Sequence, residues 1–182
     1  VLWVGGIRPH KQVERVAEIA AQLPQITFVV AGGPMRGFEA YYDQARALVT
    51  QHANVRWLGF VPYVEIGRQF EAASVLLHTS TQEGFPNVFL QAWAAGMPVV
   101  SLGVDPDSLI AQRGLGLFVP AEEGAAAIAR LAADPRLVQE MGARARAYVS
   151  EVHRPEVVLP RYAAQFQSLA GGSPSQAALS HG

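Results

Sequence analysis

Apolar residues along the chain fall into short unbroken runs, separated by longer stretches in which they recur every three or four positions. Val1–Val4, Thr27–Ala31, Val55–Leu58, Val75–His78, Pro98–Leu102 and Gly116–Val119 are apolar at mostly consecutive positions and too short for helices. Such runs suit strands covered on both faces. The intervening stretches predict helices over Lys11–Gln22, Phe38–Gln51, Glu65–Ala73, Asn87–Ala95 and Glu122–Ala133; in the first, Val13, Val16, Ala17 and Ala20 share one stripe. Regular strand–helix alternation predicts the α/β class: a doubly wound, parallel, six-stranded sheet with helices on both faces and right-handed crossovers. After Val119 the pattern turns helical, over Pro135–Ser150 and from Arg154 to Leu169. The domain is expected over residues 1–170, with a disordered tail at 171–182 (GGSPSQAALSHG).

Composition narrows the function classes. The 182 residues are 50% apolar and 16% charged, which excludes a disordered chain and allows a sizeable core. Fourteen basic and fifteen acidic residues give a net charge of -1, so no broad nucleic-acid footprint is expected. With no cysteine there is no disulfide, thiolate zinc site or thiol catalysis. Thirteen of the basic residues are arginine, and Lys11 is the single lysine. The most apolar stretch, Val88–Val104, is broken by Gln91, Gly96, Pro98 and Ser101 and cannot span a membrane as one helix. The expected compartment is the cytoplasm. A buried strand that starts at residue 1, with no initiating methionine, suggests a piece of a longer protein.

In a doubly wound sheet, ligands bind outside the carboxyl ends of the strands, where the strand order reverses. Three loops qualify. In Gly5-Gly6-Ile7-Arg8-Pro9-His10-Lys11, two glycines let a ligand approach the backbone. Arg8 and Lys11 add positive charge beside an expected helix start, which suits phosphate; the alternative is a turn with a solvated lysine. This loop is neither a Walker A loop nor a G-x-G-x-x-G loop. In the loop from Thr79 to Asn87, Asn87 is a candidate N-cap and Gly84 a candidate turn residue. Glu83 is an acceptor suited to hydroxyl ligands or, alternatively, an exposed loop carboxylate. The third loop, Gly59-Phe60-Val61-Pro62, suits a flat ring or is an ordinary strand-end turn.

Other candidates are weaker. His10, His52, His78, His153 and His181 lack metal-ligand spacing, so no metal site is expected. His78 either faces the cleft or is a structural histidine. No G-x-S-x-G elbow is present, and Trp3, Trp57 and Trp93 read as core.

Taken together, VGGIRPHK at 4–11, FVVAGGP at 28–34, VRWLGFVP at 55–62 and EGFPNVFLQAWAAGMPVV at 83–100 resemble the C-terminal, donor-binding half of a family 4 (group 1) glycosyltransferase of GT-B architecture. The resemblance covers about residues 1–150. It implies a nucleotide-sugar-binding, Rossmann-like domain that takes part in retaining transfer of a sugar from a nucleotide-diphosphate donor, without metal or other cofactor. It also implies an N-terminal, acceptor-binding domain absent from this chain, through which alone membrane contact is expected.

By that resemblance, Lys11 matches the lysine on the donor diphosphate, and Glu83 the first glutamate of the E-x7-E motif, on sugar hydroxyls; each is an expected catalytic residue. Gly5 and Gly6 match the glycine-rich donor loop, with Arg8 as a further diphosphate candidate. Gly84, Phe85, Pro86, Asn87 and Val88 match the loop whose backbone meets sugar and phosphate. Phe60 and Val61 match the stretch near the base. Two positions depart from the pattern. Gln91 stands where the second glutamate, on the ribose, is expected, and keeps an acceptor oxygen without the charge. Gly6 stands where many members carry arginine. Both departures leave open a non-catalytic sugar-nucleotide-binding or assembly domain, and a sugar-nucleotide epimerase of the same architecture is a further alternative. The isolated domain is expected to bind donor without turning it over.

Overall fold

The structure, a computed structural model, describes residues 1–171. Six strands, β1 (Leu2–Val4), β2 (Phe28–Ala31), β3 (Val55–Gly59), β4 (Leu76–His78), β5 (Val99–Ser101) and β6 (Gly116–Phe118), form one sheet in the order β3-β2-β1-β4-β5-β6. Every pairing is parallel. The expected α/β class and six-stranded sheet are therefore observed. The order reverses between β1 and β4, and the loops that follow these two strands open on the same point.

Eight α-helices cross between or follow the strands: α1 (Arg15–Gln22), α2 (Glu39–Val49), α3 (Tyr63–Ala72), α4 (Asn87–Ala94), α5 (Leu109–Arg113), α6 (Gly124–Ala133), α7 (Pro135–Val152) and α8 (Pro155–Gly171). Strand period two sends neighbouring residues to opposite faces. Trp3, Leu77 and Val100 pack in one cluster with Val16 and Ala20 of α1 and Ile128 and Leu131 of α6. Leu2, Leu76 and Val99 pack in the other with Phe89 and Trp93 of α4 and Tyr148 of α7. Both faces are dry, which explains the unbroken apolar runs in the sequence. Of the indoles, Trp3 and Trp93 are buried, while Trp57 is half-buried and packs edge-on against Tyr42.

The differences from the sequence reading fall at helix starts. The helix expected from Lys11 begins at Arg15: Pro9–Lys11 form a single 3-10 turn, and Gln12 is left-handed at φ 46°. The amides of Lys11 and Gln12 are consumed inside that turn by the carbonyls of Arg8 and Pro9. Asn87 is not an N-cap either. It is the first residue of α4, Pro86 holds the cap position, and no side chain caps the end. Helix α5 was unforeseen, being five residues long behind a 3-10 turn at Pro106–Ser108. Helix α7 is capped by a side chain, with Asp134 accepting from the Leu137 amide at 3.0 Å and Pro135 in the first turn. Of the tail expected at 171–182, Gly171 ends α8 and the rest lies outside the described residues. No helix among the described residues is long and apolar enough to cross a membrane.

Candidate functional site

The β1–α1 and β4–α4 loops are sewn together at the point of strand-order reversal. The Thr81 amide donates to the His10 carbonyl at 2.9 Å, and the Thr79 hydroxyl to the Lys11 carbonyl at 2.5 Å. Thr79 in turn accepts from the indole of Trp3 at 2.9 Å. Backbone placement of Lys11 is thereby tied to the core.

At the end of that seam Lys11 Nζ donates to Glu83 Oε1, both side chains about five-sixths buried. Residues 72 positions apart in sequence thus form one ion pair. Burial pushes the Glu83 carboxyl up, but hydrogen bonds from Lys11 and Ser80, with the charge of Lys11, outweigh it and hold the group below the usual carboxylate range. Behind the pair, His78 Nε2 lies 3.7 Å from the same Glu83 oxygen. Burial keeps the imidazole neutral, with its pKa pushed down to about 4.

At the same end of the sheet a cleft of about 450 Å³ takes in Gly5, Gly6, Phe60, Val61 and Gln91, while Lys11 and Glu83 lie outside its lining. Its floor is the loop after β2: Gly32, Gly33, Pro34 and Met35. Gly32 must be glycine, because a Cβ there would sit 2.1 Å from the Gly5 carbonyl oxygen. A Cβ at Gly6 would meet the Met35 sulfur at 2.6 Å, so the thioether fills the space next to the position where arginine is common in the family resembled. Phe60 stands largely exposed at the rim.

The remaining expected residues are distributed less tightly. Arg8 is half-buried, and its Nε has no hydrogen-bond partner. Gly84 is not left-handed, so it is not needed for a turn; nothing lies within 4 Å of where its Cβ would be, and what it leaves is open space in front of Glu83. The Phe85 ring turns away and packs on Trp93 and His153, with centroids 6.3 and 6.0 Å apart. Val88 packs against the core cluster on the α4 face. Asn87 and Val88 stand at the first two helical positions, where amides have no intrahelical acceptor. Among the described residues no three His, Asp or Glu side chains group as metal ligands.

Sequence reasoning quoted the double glycine after β2 in FVVAGGP but gave Gly33 no site role, and it missed Met35. It left His78 undecided. What resolves His78 is Ser101, from β5, whose Oγ lies 3.2 Å from its Nδ1.

Fold and site together define a doubly wound domain with a ligand cleft at the switch point. The family model of glycosyl transferases group 1 matches residues 1–134, and the chain belongs to that family. It is 35% identical over 107 residues to D-inositol 3-phosphate glycosyltransferase of Mycobacterium leprae, a match covering 57% of this chain and 25% of that protein. The chain thus matches about a quarter of the length of its curated relatives.

Among solved structures, sucrose-phosphate synthase of Thermosynechococcus elongatus superposes with a TM-score of 0.84 at 27% identity, over 94% of this chain and 45% of that one. Anabaena HepE, solved in complex with UDP and glucose, gives 0.81 at 23% identity, over 92% and 48%. The C-terminal domain of a group 1 glycosyl transferase from Francisella tularensis gives 0.69 at 21% identity, over 82% of this chain and 83% of that domain. The chain is accordingly the C-terminal half of a GT-B architecture.

Proposed function

We propose that this chain binds a nucleoside diphosphate sugar and supplies the donor-binding half of a retaining glycosyltransferase. The observation that carries the reading is the Lys11–Glu83 ion pair at the switch point, held by the loop whose Gly5 and Gly6 line the cleft that also takes in Gln91. Lys11 takes the diphosphate, with Arg8, whose Nε has no partner, as the second cation. Glu83 takes hydroxyls of the donor sugar, and Gln91 those of the ribose. The base lies against Phe60 and Val61. The backbone of residues 84–88, led by the first-turn amides of Asn87 and Val88, faces sugar and phosphate. A compact ammonium can follow the negative charge that develops on the departing diphosphate, so the reading requires no metal ion.

A UDP complex of a protein of the same fold, and a D-inositol 3-phosphate glycosyltransferase among the curated relatives, support this choice of ligand class. Transfer itself needs a second domain to bring the acceptor and exclude water, so this chain binds donor and does not turn it over. Calorimetry with UDP, ADP and GDP tests the reading. One of them binds the wild-type chain, and Lys11→Ala weakens that binding by about 1.5–3 kcal/mol, the usual worth of hydrogen bonds to charged groups. Equal affinity in the variant would remove Lys11 from the donor site.

A further inference from the structure

His78 is 4% exposed, and its Nε2 has no hydrogen-bond partner. A buried, unsatisfied ring nitrogen costs stability and calls for a reason. Its tautomer follows from its neighbour. Ser101 Oγ lies 2.6 Å from the Val104 carbonyl, which can only accept, so the single hydroxyl proton is committed there. His78 Nδ1, 3.2 Å from the same Oγ, must therefore be the donor of that contact. Nε2 is left as a bare lone pair, and Glu83 Oε1, another acceptor, lies 3.7 Å away.

Two acceptors face each other across that gap, and only the ammonium of Lys11, bonded to the same carboxylate oxygen, keeps the arrangement neutral. If Lys11 turns to a diphosphate, Glu83 is left as a desolvated carboxylate against a lone pair. A proton between them resolves the conflict.

We propose that His78 is a positioning residue for Glu83: when an anionic ligand draws Lys11 away, a proton shared between His78 Nε2 and the Glu83 carboxyl takes the place of the ammonium and holds that carboxyl in position. The proton comes from solvent. The ligand step rests on the donor-binding reading above; the proton sharing does not. The charged groups that face His78 are Lys11 from the β1–α1 loop and Glu83 from the β4–α4 loop. The other neighbours, Phe89 of α4, with ring centroids 4.7 Å apart, and Ser101 of β5, do not titrate.

Imidazole ¹⁵N chemical shifts of His78, followed against pH, read both tautomer and protonation. The wild-type chain should show the Nδ1–H tautomer and titrate near pH 4. Lys11→Met removes a like charge and frees the carboxylate, so the midpoint should rise by about one pH unit or more, about tenfold in proton affinity. The rise should disappear in Lys11→Met/Glu83→Gln. Lys11→Gln gives the same comparison should the methionine variant fold poorly. An Nε2–H tautomer in the wild type, or an unmoved midpoint on loss of Lys11, overturns the proposal. Whichever of UDP, ADP and GDP binds should, at saturation, move wild-type His78 as Lys11→Met does. A nucleoside diphosphate among UDP, ADP and GDP that binds and leaves His78 unmoved refutes the ligand step, whereas failure of all three to bind, with the Lys11→Met shift present, counts against the donor reading alone.

Discussion

The two ends of the sheet carry cavities of similar size whose surrounding polar groups are differently occupied. At the amino end, a half-open cavity of about 610 Å³ lies among Val1, Phe70, Met97, Leu131, Gln139 and Arg146. At the carboxyl end, the cleft of about 450 Å³ is lined by Gly5 and Gly6 of the loop that carries Lys11. Size alone would favour the first. Yet its most prominent cation is already used, since the Arg146 guanidinium donates to the Ala95 carbonyl at 2.8 Å and finishes α4. At the carboxyl end the polar groups are left waiting. Among the described residues, the buried side-chain nitrogens without a partner are Arg8 Nε and His78 Nε2, both from loops or strand ends that open there. Unmet polarity, rather than volume, distinguishes a ligand site from a packing defect.

This contrast can be broken or sharpened by substitutions at either end. The largest effect belongs to Met97, buried beneath the amino-end cavity. Met97→Ala should cost about 2–5 kcal/mol of stability in urea unfolding while leaving nucleotide affinity unchanged. A loss of affinity as large as the loss of stability would join the two ends into one unit.

Next in size is a pH effect confined to the carboxyl end. His78 titrates near 4 in the folded chain and near 6.5 when unfolded, so between those values the unfolded state binds more protons. Stability should therefore fall by about 3 kcal/mol as pH drops from about 6.5 to about 4, and be unaffected by this group above about 7. Glu83, held below its ordinary range, adds stability that is lost on further acidification through its folded value. Unfolding curves of wild type and His78→Asn across that window should differ in slope; parallel curves would assign the acid sensitivity elsewhere.

The smallest effect is at Gln91. Gln91→Glu should tighten nucleotide binding by about 1 kcal/mol, because an ionised acceptor forms the stronger hydrogen bond. The gain should vanish with a 2′,3′-dideoxynucleotide. A gain that persists there would move Gln91 off the ribose.

Much of the fold was legible because its physics is local. A strand buried on both faces advertises itself as an apolar run, and all six runs, including Val55–Leu58 with its exposed Arg56, are strands within one residue at each end. Helix starts were less legible. A left-handed Gln12 after Pro9 delays α1 by four residues, and neither residue type forbids a helix earlier or later. At the site, Lys11 and Glu83 were found as separate candidates, but only the β1–β4 pairing makes them partners. The state of His78 was out of reach, because it depends on where a serine from a different strand sends its proton. Met35 was equally hidden, since its importance comes from space left by Gly6.

The seam from Trp3 through Thr79 to Lys11 has a consequence for how the site comes into being. Its links join a core indole, a buried hydroxyl and a loop carbonyl, so the loop cannot loosen without stranding polar groups in an apolar surround. Local opening that would normally come cheaply to a glycine-rich loop is thereby bound to disruption of the sheet itself. Ordering of this loop is consequently completed during folding, and an arriving ligand meets a lysine whose backbone entropy was lost long before the encounter.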